Sequence, residues 1–255
     1  MTIDTSIQLI RNAALVINYA GKKILVDPML APKDAYDSFT GAARNPMVDL
    51  PLPVEDITKD IDLVLVTHTH RDHFDPVASQ ALDKSVKLIN QPADKVYFKE
   101  EGFINAETVE ESTVWNGISI YRTGGEHGSG EVLKLMGTVS GFILKAEGQP
   151  TVYIVGDSIW IPLVAQRIEQ FKPDYIVINS GGAIWPGYEA TPILMEENQV
   201  MQLMNESGKA KIIAVHMEAL DHCHTTRASL RRKANESSVS ADKLIIPANG
   251  ETVML

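Results

Sequence analysis

Four side chains able to bind a divalent cation arrive together in Val66-Thr-His-Thr-His-Arg-Asp-His-Phe-Asp-Pro76: His68, His70, Asp72 and His73. A neutral imidazole and an ionised carboxylate are ligands that Zn2+, Mn2+ or Fe2+ accepts. Residues i and i+2 do not share a helix face, so His68 and His70 can reach one ion only from extended or looped backbone. The apolar run Ile61-Asp-Leu-Val-Leu-Val66 before them reads as a buried strand. Asp75-Pro76 after them reads as an N-cap with proline at the first helical position. The local plan is therefore strand, ligand-bearing loop, helix. Asp72 and His73 alternate in direction with the first pair, which suits a second ion roughly 3.5 to 4 Å from the first, the spacing of two-metal hydrolases.

His-x-His-x-Asp-His resembles the signature of the metallo-β-lactamase superfamily, and the chain is similar to that family from end to end. The resemblance implies a single domain over residues 1–255, folded as a four-layer αββα sandwich of class α/β (α+β), with two facing mixed sheets flanked by helices. It also implies that His127 in Gly-Gly-Glu-His-Gly, Asp157 in Val-Gly-Asp-Ser and His216 in Ala-Val-His-Met complete the ligand set. On that pattern His68, His70 and His127 hold one metal, Asp72, His73 and His216 hold the other, and Asp157 bridges. Two divalent ions, zinc or manganese with iron also compatible, would bring bound water to a pKa of about 7. The resulting hydroxide is the implied nucleophile, with Asp72 and Asp157 as the catalytic carboxylates. Asp27 matches the family's first motif, which implies a hydrogen bond that orients a ligand. Turn propensity alone reads Asp27 as an ordinary strand-ending aspartate.

Within the superfamily, His-Thr-His-Arg-Asp-His-Phe-Asp-Pro looks most similar to the L-ascorbate-6-phosphate lactonase-like group. That resemblance implies a hydrolase opening an ester or lactone of a small anionic metabolite. A phosphodiesterase of the same fold is the alternative. A di-iron oxidoreductase ranks lower, because such proteins typically carry Glu where His70 stands and add a flavin domain. A non-catalytic metal-binding module is the remaining class.

The elements that position these residues follow from hydrophobic pattern. Ile7–Ile10, Ala14–Tyr19 and Lys23–Asp27 read as an antiparallel meander with a tight turn at Gly21. Residues 28 to 60 hold Pro28, Pro32, Pro46, Pro51 and Pro53 without a sustained period and read as a long loop of the kind that forms lids or substrate walls. Beyond the metal loop, Pro76–Leu82 and Ala93–Glu101 read as helices around a strand at Val86–Ile89. Residues 106 to 155 are strand-rich, with Glu107–Val109, Ile118–Arg122, Thr138–Lys145 and Thr151–Val155 as the candidates. Ser158 is placed to cap a helix carrying Leu163, Val164, Ile168 and Phe171. Tyr175–Ile178 and Lys211–Val215 read as buried strands, Thr191-Pro192 as the start of a helix running to Gly208, and Thr226–Ala234 as another helix. Short strands at Lys243–Ile246 and Thr252–Leu255 close the chain.

Trp185 and Tyr188 suit either a substrate wall or simple packing. His222, Cys223 and His224 suit either substrate contact or a polar loop leading into a helix.

Composition narrows the partners. Hydrophobic content of 44% and charged content of 22% are ordinary for a globular protein. A net charge of −10 works against nucleic acid, which normally meets a basic face. The positive excess at two ions held by only two carboxylates would instead draw a small anionic substrate. With Cys223 as the single cysteine, no internal disulfide forms. There is no basic leader followed by an apolar core and no apolar run long enough to span a bilayer, so no membrane association and a cytoplasmic location are the expectation. A homo-oligomer is left open.

Overall fold

The protein is described here by a computed structural model covering residues 5–255. Residues 1–4, the start of the expected domain, lie outside the described part.

The first half of the chain builds one sheet. β1 (Ser6–Arg11), β2 (Ala14–Tyr19) and β3 (Lys22–Val26) form the antiparallel meander. The β2–β3 turn is tight because Ala20 and Gly21 both take positive φ, 50° and 75°. After a long connection carrying the short α1 (Val54–Thr58), β4 (Leu63–Leu65) joins β3 in parallel. Next come α2 (Pro76–Ala81), β5 (Lys87–Asn90), a 3-10 turn leading into α3 (Lys95–Glu100), and β6 (Ala106–Thr108), continuing the parallel run.

The second half mirrors this plan. β7 (Ser112–Trp115), β8 (Ile118–Gly124), β9 (Ser140–Lys145) and β10 (Val152–Ile154) pair antiparallel, with α4 (Gly130–Met136) between β8 and β9. α5 (Pro162–Phe171), β11 (Tyr175–Asn179), α6 (Glu197–Glu206), β12 (Lys211–Val215), α7 (Arg227–Glu236) and β13 (Leu244–Ile245) then extend the sheet in parallel. β14 (Thr252–Met254) returns to pair with β1. The two sheets run β14-β1-β2-β3-β4-β5-β6 and β13-β12-β11-β10-β9-β8-β7.

Alternation along each strand makes the layers. Leu63 and Leu65 of β4 face Val177, Ile213 and Phe142 in the core between the sheets, whereas Val64 turns outward onto Phe74, Phe98 and Leu88 under α2 and α3. In β11, Tyr175 and Val177 face inward while Ile176 and Ile178 meet Val164, Val200 and Leu230 of α5, α6 and α7. Strands buried on both faces need apolar residues at every position, which is why β4, β11 and β12 read as continuous runs. Each such side chain contributes about 1.5–3 kcal/mol by leaving water. The result is the four-layer αββα sandwich, two mixed sheets flanked by helices.

Three local readings change. The helix expected from Thr191-Pro192 begins at Glu197, because Ile193 is held in extended pairing by its N–H to the Ala183 carbonyl and Glu196 supplies the N-cap through Asn198 and Gln199 N–H. Ser158 does not cap α5, whose N-cap is Ile161; its hydroxyl accepts from Glu126 N–H instead. β7 and α4 had no counterpart in the pattern. β7 is an exposed edge strand with little apolar content, and α4 is too short for a helical period to stand out. Among the described residues, no helix is long and apolar enough to cross a membrane.

Candidate metal centre

The seven expected ligands converge at the carboxyl ends of their strands, at one edge of the sandwich. β4 delivers the loop 66–75, β8 leads to His127, β10 to Asp157 and β12 to His216. Parallel strands ending together at one sheet edge gather loops from distant parts of the sequence, so residues far apart in the chain become neighbours.

Two clusters of donor atoms result. His68, His70 and His127 form one, and Asp72, His73, Asp157 and His216 the other, the donor atoms within each lying no more than 4.8 Å from one another. All are buried except His70, which is partly open to solvent. Asp157 stands between the clusters. Its Oδ2 is 3.1 Å from His73 Nε2, 3.4 Å from His127 Nε2 and 3.8 Å from His68 Nε2, while Oδ1 lies 3.8 Å from His216 Nε2. Asp72 Oδ2 is 3.1 Å from His216 Nε2 and 3.5 Å from His73 Nε2.

The backbone pays for this convergence in unusual conformations. Gly156, directly before Asp157, has φ +74°, and a Cβ there would sit 2.4 Å from the Ser140 carbonyl oxygen. His216 and Asp27 themselves adopt positive φ, 66° and 43°, a region disfavoured for residues with a Cβ and tolerated when the surroundings over-determine it.

Imidazoles are aimed by what holds their other nitrogen. Asp27, in the orienting role, accepts from His73 Nδ1 at 2.9 Å and is itself fixed by Thr67 N–H and hydroxyl, each at 2.7 Å. The Ile193 carbonyl accepts from His127 Nδ1 at 2.8 Å, so the non-helical 192–196 segment that displaced the start of α6 has a task in the site. Thr67 Oγ1 lies 3.1 Å from His68 Nδ1 and Cys223 Sγ 3.8 Å from His216 Nδ1. Cys223 therefore sits behind a ligand rather than among the ligands.

Burial pushes the Asp157 and Asp72 carboxyls up, but the surrounding histidines outweigh it and hold both well below the carboxylate range. For His68 and His127 burial wins and lowers both. Burial also acts against charge on His73 and His216, yet Asp157 and its neighbours prevail, raising His73 well above its ordinary value and His216 to about 10. Five imidazoles and two carboxylates brought this close together is an arrangement that a divalent cation relieves. With one nitrogen of His68, His73 and His127 engaged behind and the other facing in, the donor set fits such ions.

Residues without a strong sequence signal complete the frame. Asn12, at φ 58° in the β1–β2 turn, places Nδ2 3.2 Å from both the Asp72 carbonyl and His216 Nε2, and its own carbonyl accepts from His216 N–H. Asn179 donates to Asp157 Oδ1 at 2.6 Å. In sequence Asn12 signals only a turn, and Asn179 only a strand end.

Aromatic rings gather on the segments next to the ligands. The Phe39 ring lies 5.9 Å from Trp185 and 4.8 Å, edge-on, from His222, while Tyr188 packs with Trp185 on the cluster around Ala183 and Ile193. Asp221 holds the Phe39 loop: it accepts from Phe39 N–H, Thr40 N–H and hydroxyl, Asn45 Nδ2 and the Ser38 hydroxyl. Arg71, exposed beside the ligands, lies 4.9 Å over the Tyr36 ring. His224 is exposed and precedes α7, which Thr226 caps.

Residues 6–216 match the beta-lactamase superfamily domain. The UPF0173 protein YddR of Bacillus subtilis (strain 168) is 37% identical over 253 residues, 97% of this chain and 98% of that one. A crystal structure of a possible metal-dependent hydrolase from Veillonella parvula DSM 2008 superposes with a TM-score of 0.94 at 36% identity, covering 99% and 100% of the two chains. That of an isothiocyanate hydrolase from Delia radicum gut bacteria superposes with a TM-score of 0.90 at 39% identity, covering 98% of each.

Proposed function

The chain belongs to the beta-lactamase superfamily and to the metal-dependent hydrolases within it, and from that premise we propose that it hydrolyses a small electrophile borne on an apolar group, best an isothiocyanate. The observation that carries the reading is the seven-residue donor set, with the rings of Phe39, Trp185 and His222 packed together on neighbouring segments. The 39% identity to the isothiocyanate hydrolase over nearly the whole chain supports the same substrate class.

His68, His70 and His127 would hold one divalent ion, and Asp72, His73 and His216 a second, with Asp157 reaching both. Such ions, when bound, supply a water that loses its proton near neutral pH. The protein's own groups do the rest. Asp157, fixed by Asn179 and kept ionised, accepts a hydrogen bond from the attacking water and turns its lone pair toward the substrate carbon. The neighbouring rings cover the substituent and exclude bulk water. The water oxygen adds to the carbon of R–N=C=S, the C=S π electrons go to sulfur, and the two water protons pass to nitrogen and sulfur to give R–NH–C(=O)–SH. Cleavage of its C–N bond, with the thiol proton passing to nitrogen, releases R–NH2 and O=C=S.

The lactonase-like reading, an ester or lactone of a small anion, uses the same water and differs in the groups around it. Arg71 beside the ligands is the feature that favours it. Protein loaded separately with zinc, manganese or iron and offered benzyl isothiocyanate, a homoserine lactone, a phosphorylated lactone and bis(p-nitrophenyl) phosphate separates the readings. Amine release from the isothiocyanate, fastest of the four, is the expected result. Faster turnover of a lactone or phosphodiester overturns the substrate assignment, and no turnover of any, with metal content verified, overturns the catalytic one.

A further inference from the structure

His222 stands out among the polar side chains near the site because, among the described residues, no hydrogen-bond partner meets its ring. It is 5% exposed, its Nδ1 is fully buried without a hydrogen-bond partner, and among the described residues no protein group bonds to Nε2. Buried imidazoles are normally satisfied, so an orphan is either a cost or a group kept for a partner from outside. The backbone on both sides is fixed: the His222 carbonyl accepts from Ile184 N–H, Cys223 bridges to Ala183, and Asp221 grips the Phe39 loop. The ring is thus held rigidly, with the Phe39 edge against it and the charges of Asp72, Asp157 and His216 acting on it from the ligand side.

This geometry also selects a tautomer. A proton on Nδ1 would be buried with no acceptor, while Nε2 is not sealed in the same way, so the proton belongs on Nε2. A neutral His222 then carries a single N–H donor, on a ring close enough to Asp72, His216 and Asp157 to feel their charges. Resting on the hydrolase reading above, we propose that His222 is a substrate-binding residue whose Nε2–H donates to the heteroatom gaining negative charge, the isothiocyanate sulfur, while Phe39 and Trp185 cover the substituent. No proton is transferred from His222 in this role. It aligns the N=C=S axis and stabilises the sulfur as water adds to carbon.

The test compares His222→Phe, which keeps the ring and removes the donor, with His222→Gln, whose amide N–H falls near the Nε2 position. Metal content and melting temperature are measured first. The metal-loaded proteins are then assayed for benzyl isothiocyanate turnover and for affinity toward thiocyanate, a stable ion with the same N–C–S skeleton. The expected result is a loss of about tenfold or more in kcat/KM and in thiocyanate affinity for His222→Phe, partial recovery of both in His222→Gln, and unchanged metal content. Unchanged constants in His222→Phe, or loss of metal from it, overturn the proposal. If the unaltered enzyme turns over no isothiocyanate, the substrate reading fails by itself. The thiocyanate comparison then still decides the His222 contact.

Discussion

The two candidate ligand clusters are built on opposite electrostatic plans. His68, His70 and His127 are three imidazoles with no carboxylate of their own, backed by neutral groups, the Thr67 hydroxyl and the Ile193 carbonyl, and His70 is partly open to solvent. Asp72, His73, Asp157 and His216 are all buried and include both carboxylates, with a third, Asp27, behind His73. Burial lowers His68 and His127, while nearby carboxylates overcome burial to raise His73 and His216. One cluster is an open, neutral socket and the other a closed, anionic one. The lesson is a division of labour: the anionic socket should hold its cation more tightly, and the open one is where substrate and solvent reach the site. Asp157 couples them.

The largest break in that comparison is Asp157→Asn. It removes the charge shared by both clusters while Asn179 keeps a hydrogen-bonding neighbour at hand. Turnover should fall by about a thousandfold, about 4 kcal/mol at 1.36 kcal/mol per decade. Elemental analysis after dialysis should show metal lost from both positions. Half the metal retained at full affinity would mean that Asp157 serves one cluster alone.

Asp27→Asn acts on one side only. It leaves a side chain of the same size but weakens the acceptor that orients His73 and raises its basicity, an effect typically worth 10- to 100-fold in metal affinity. Chelator competition should show the tighter ion weakened by roughly that factor and the looser one unchanged. Equal weakening of the two would dissolve the distinction between the sockets.

Much of this organisation was legible in the chain because the chemistry is local. The His68 to His73 run sits next to the strand that delivers it, and that strand is apolar throughout because both its faces are buried. The αββα layers followed from the resemblance and from runs such as Tyr175–Ile178 and Lys211–Val215. What escaped was set by tertiary context. Asn12 looks like any turn residue until the β1–β2 hairpin carries it to Asp72 and His216. The stretch after Pro192 has helical character, yet its backbone is committed to Ala183 and His127. The grip of Asp221 on residues 38–45 depends on two loops 176 to 183 positions apart, a relation that no local pattern carries.

The opposed shifts also predict how the chelated protein responds to pH. His216, at about 10, and His73 lie above the ordinary imidazole value of 6.5, so the stability they contribute is complete below about 6.5 and fades as pH rises toward 10. His68 and His127 lie below 6.5, so their contribution is present above that value and fades as pH falls through their lowered range. Thermal melts of chelator-treated protein should therefore pass through a maximum near pH 6.5 and decline on the alkaline side. Restoring metal should flatten that decline, because bound cations replace the protons. A chelated protein that becomes steadily more stable from pH 6.5 to 10 would contradict the anionic character assigned to the second cluster.

The smallest effect sharpens the comparison from inside the anionic socket. Cys223 lies behind His216 as Asp27 lies behind His73, but its Sγ is 3.8 Å from Nδ1 and a thiol is a weak hydrogen-bonding group. His216 does not depend on it for orientation. Its N–H is held by the Asn12 carbonyl, its Nε2 lies 3.2 Å from Asn12 Nδ2, and its backbone φ of 66° is set by the loop. Cys223→Ser should therefore change metal affinity by less than about threefold, against the 10- to 100-fold expected behind His73. The same assay applied to both variants shows whether aim comes from the carboxylate or from the backbone. If Cys223→Ser costs as much as Asp27→Asn, the thiol is acting as a charged partner to His216 and the second socket carries one more negative group than its carboxylates account for.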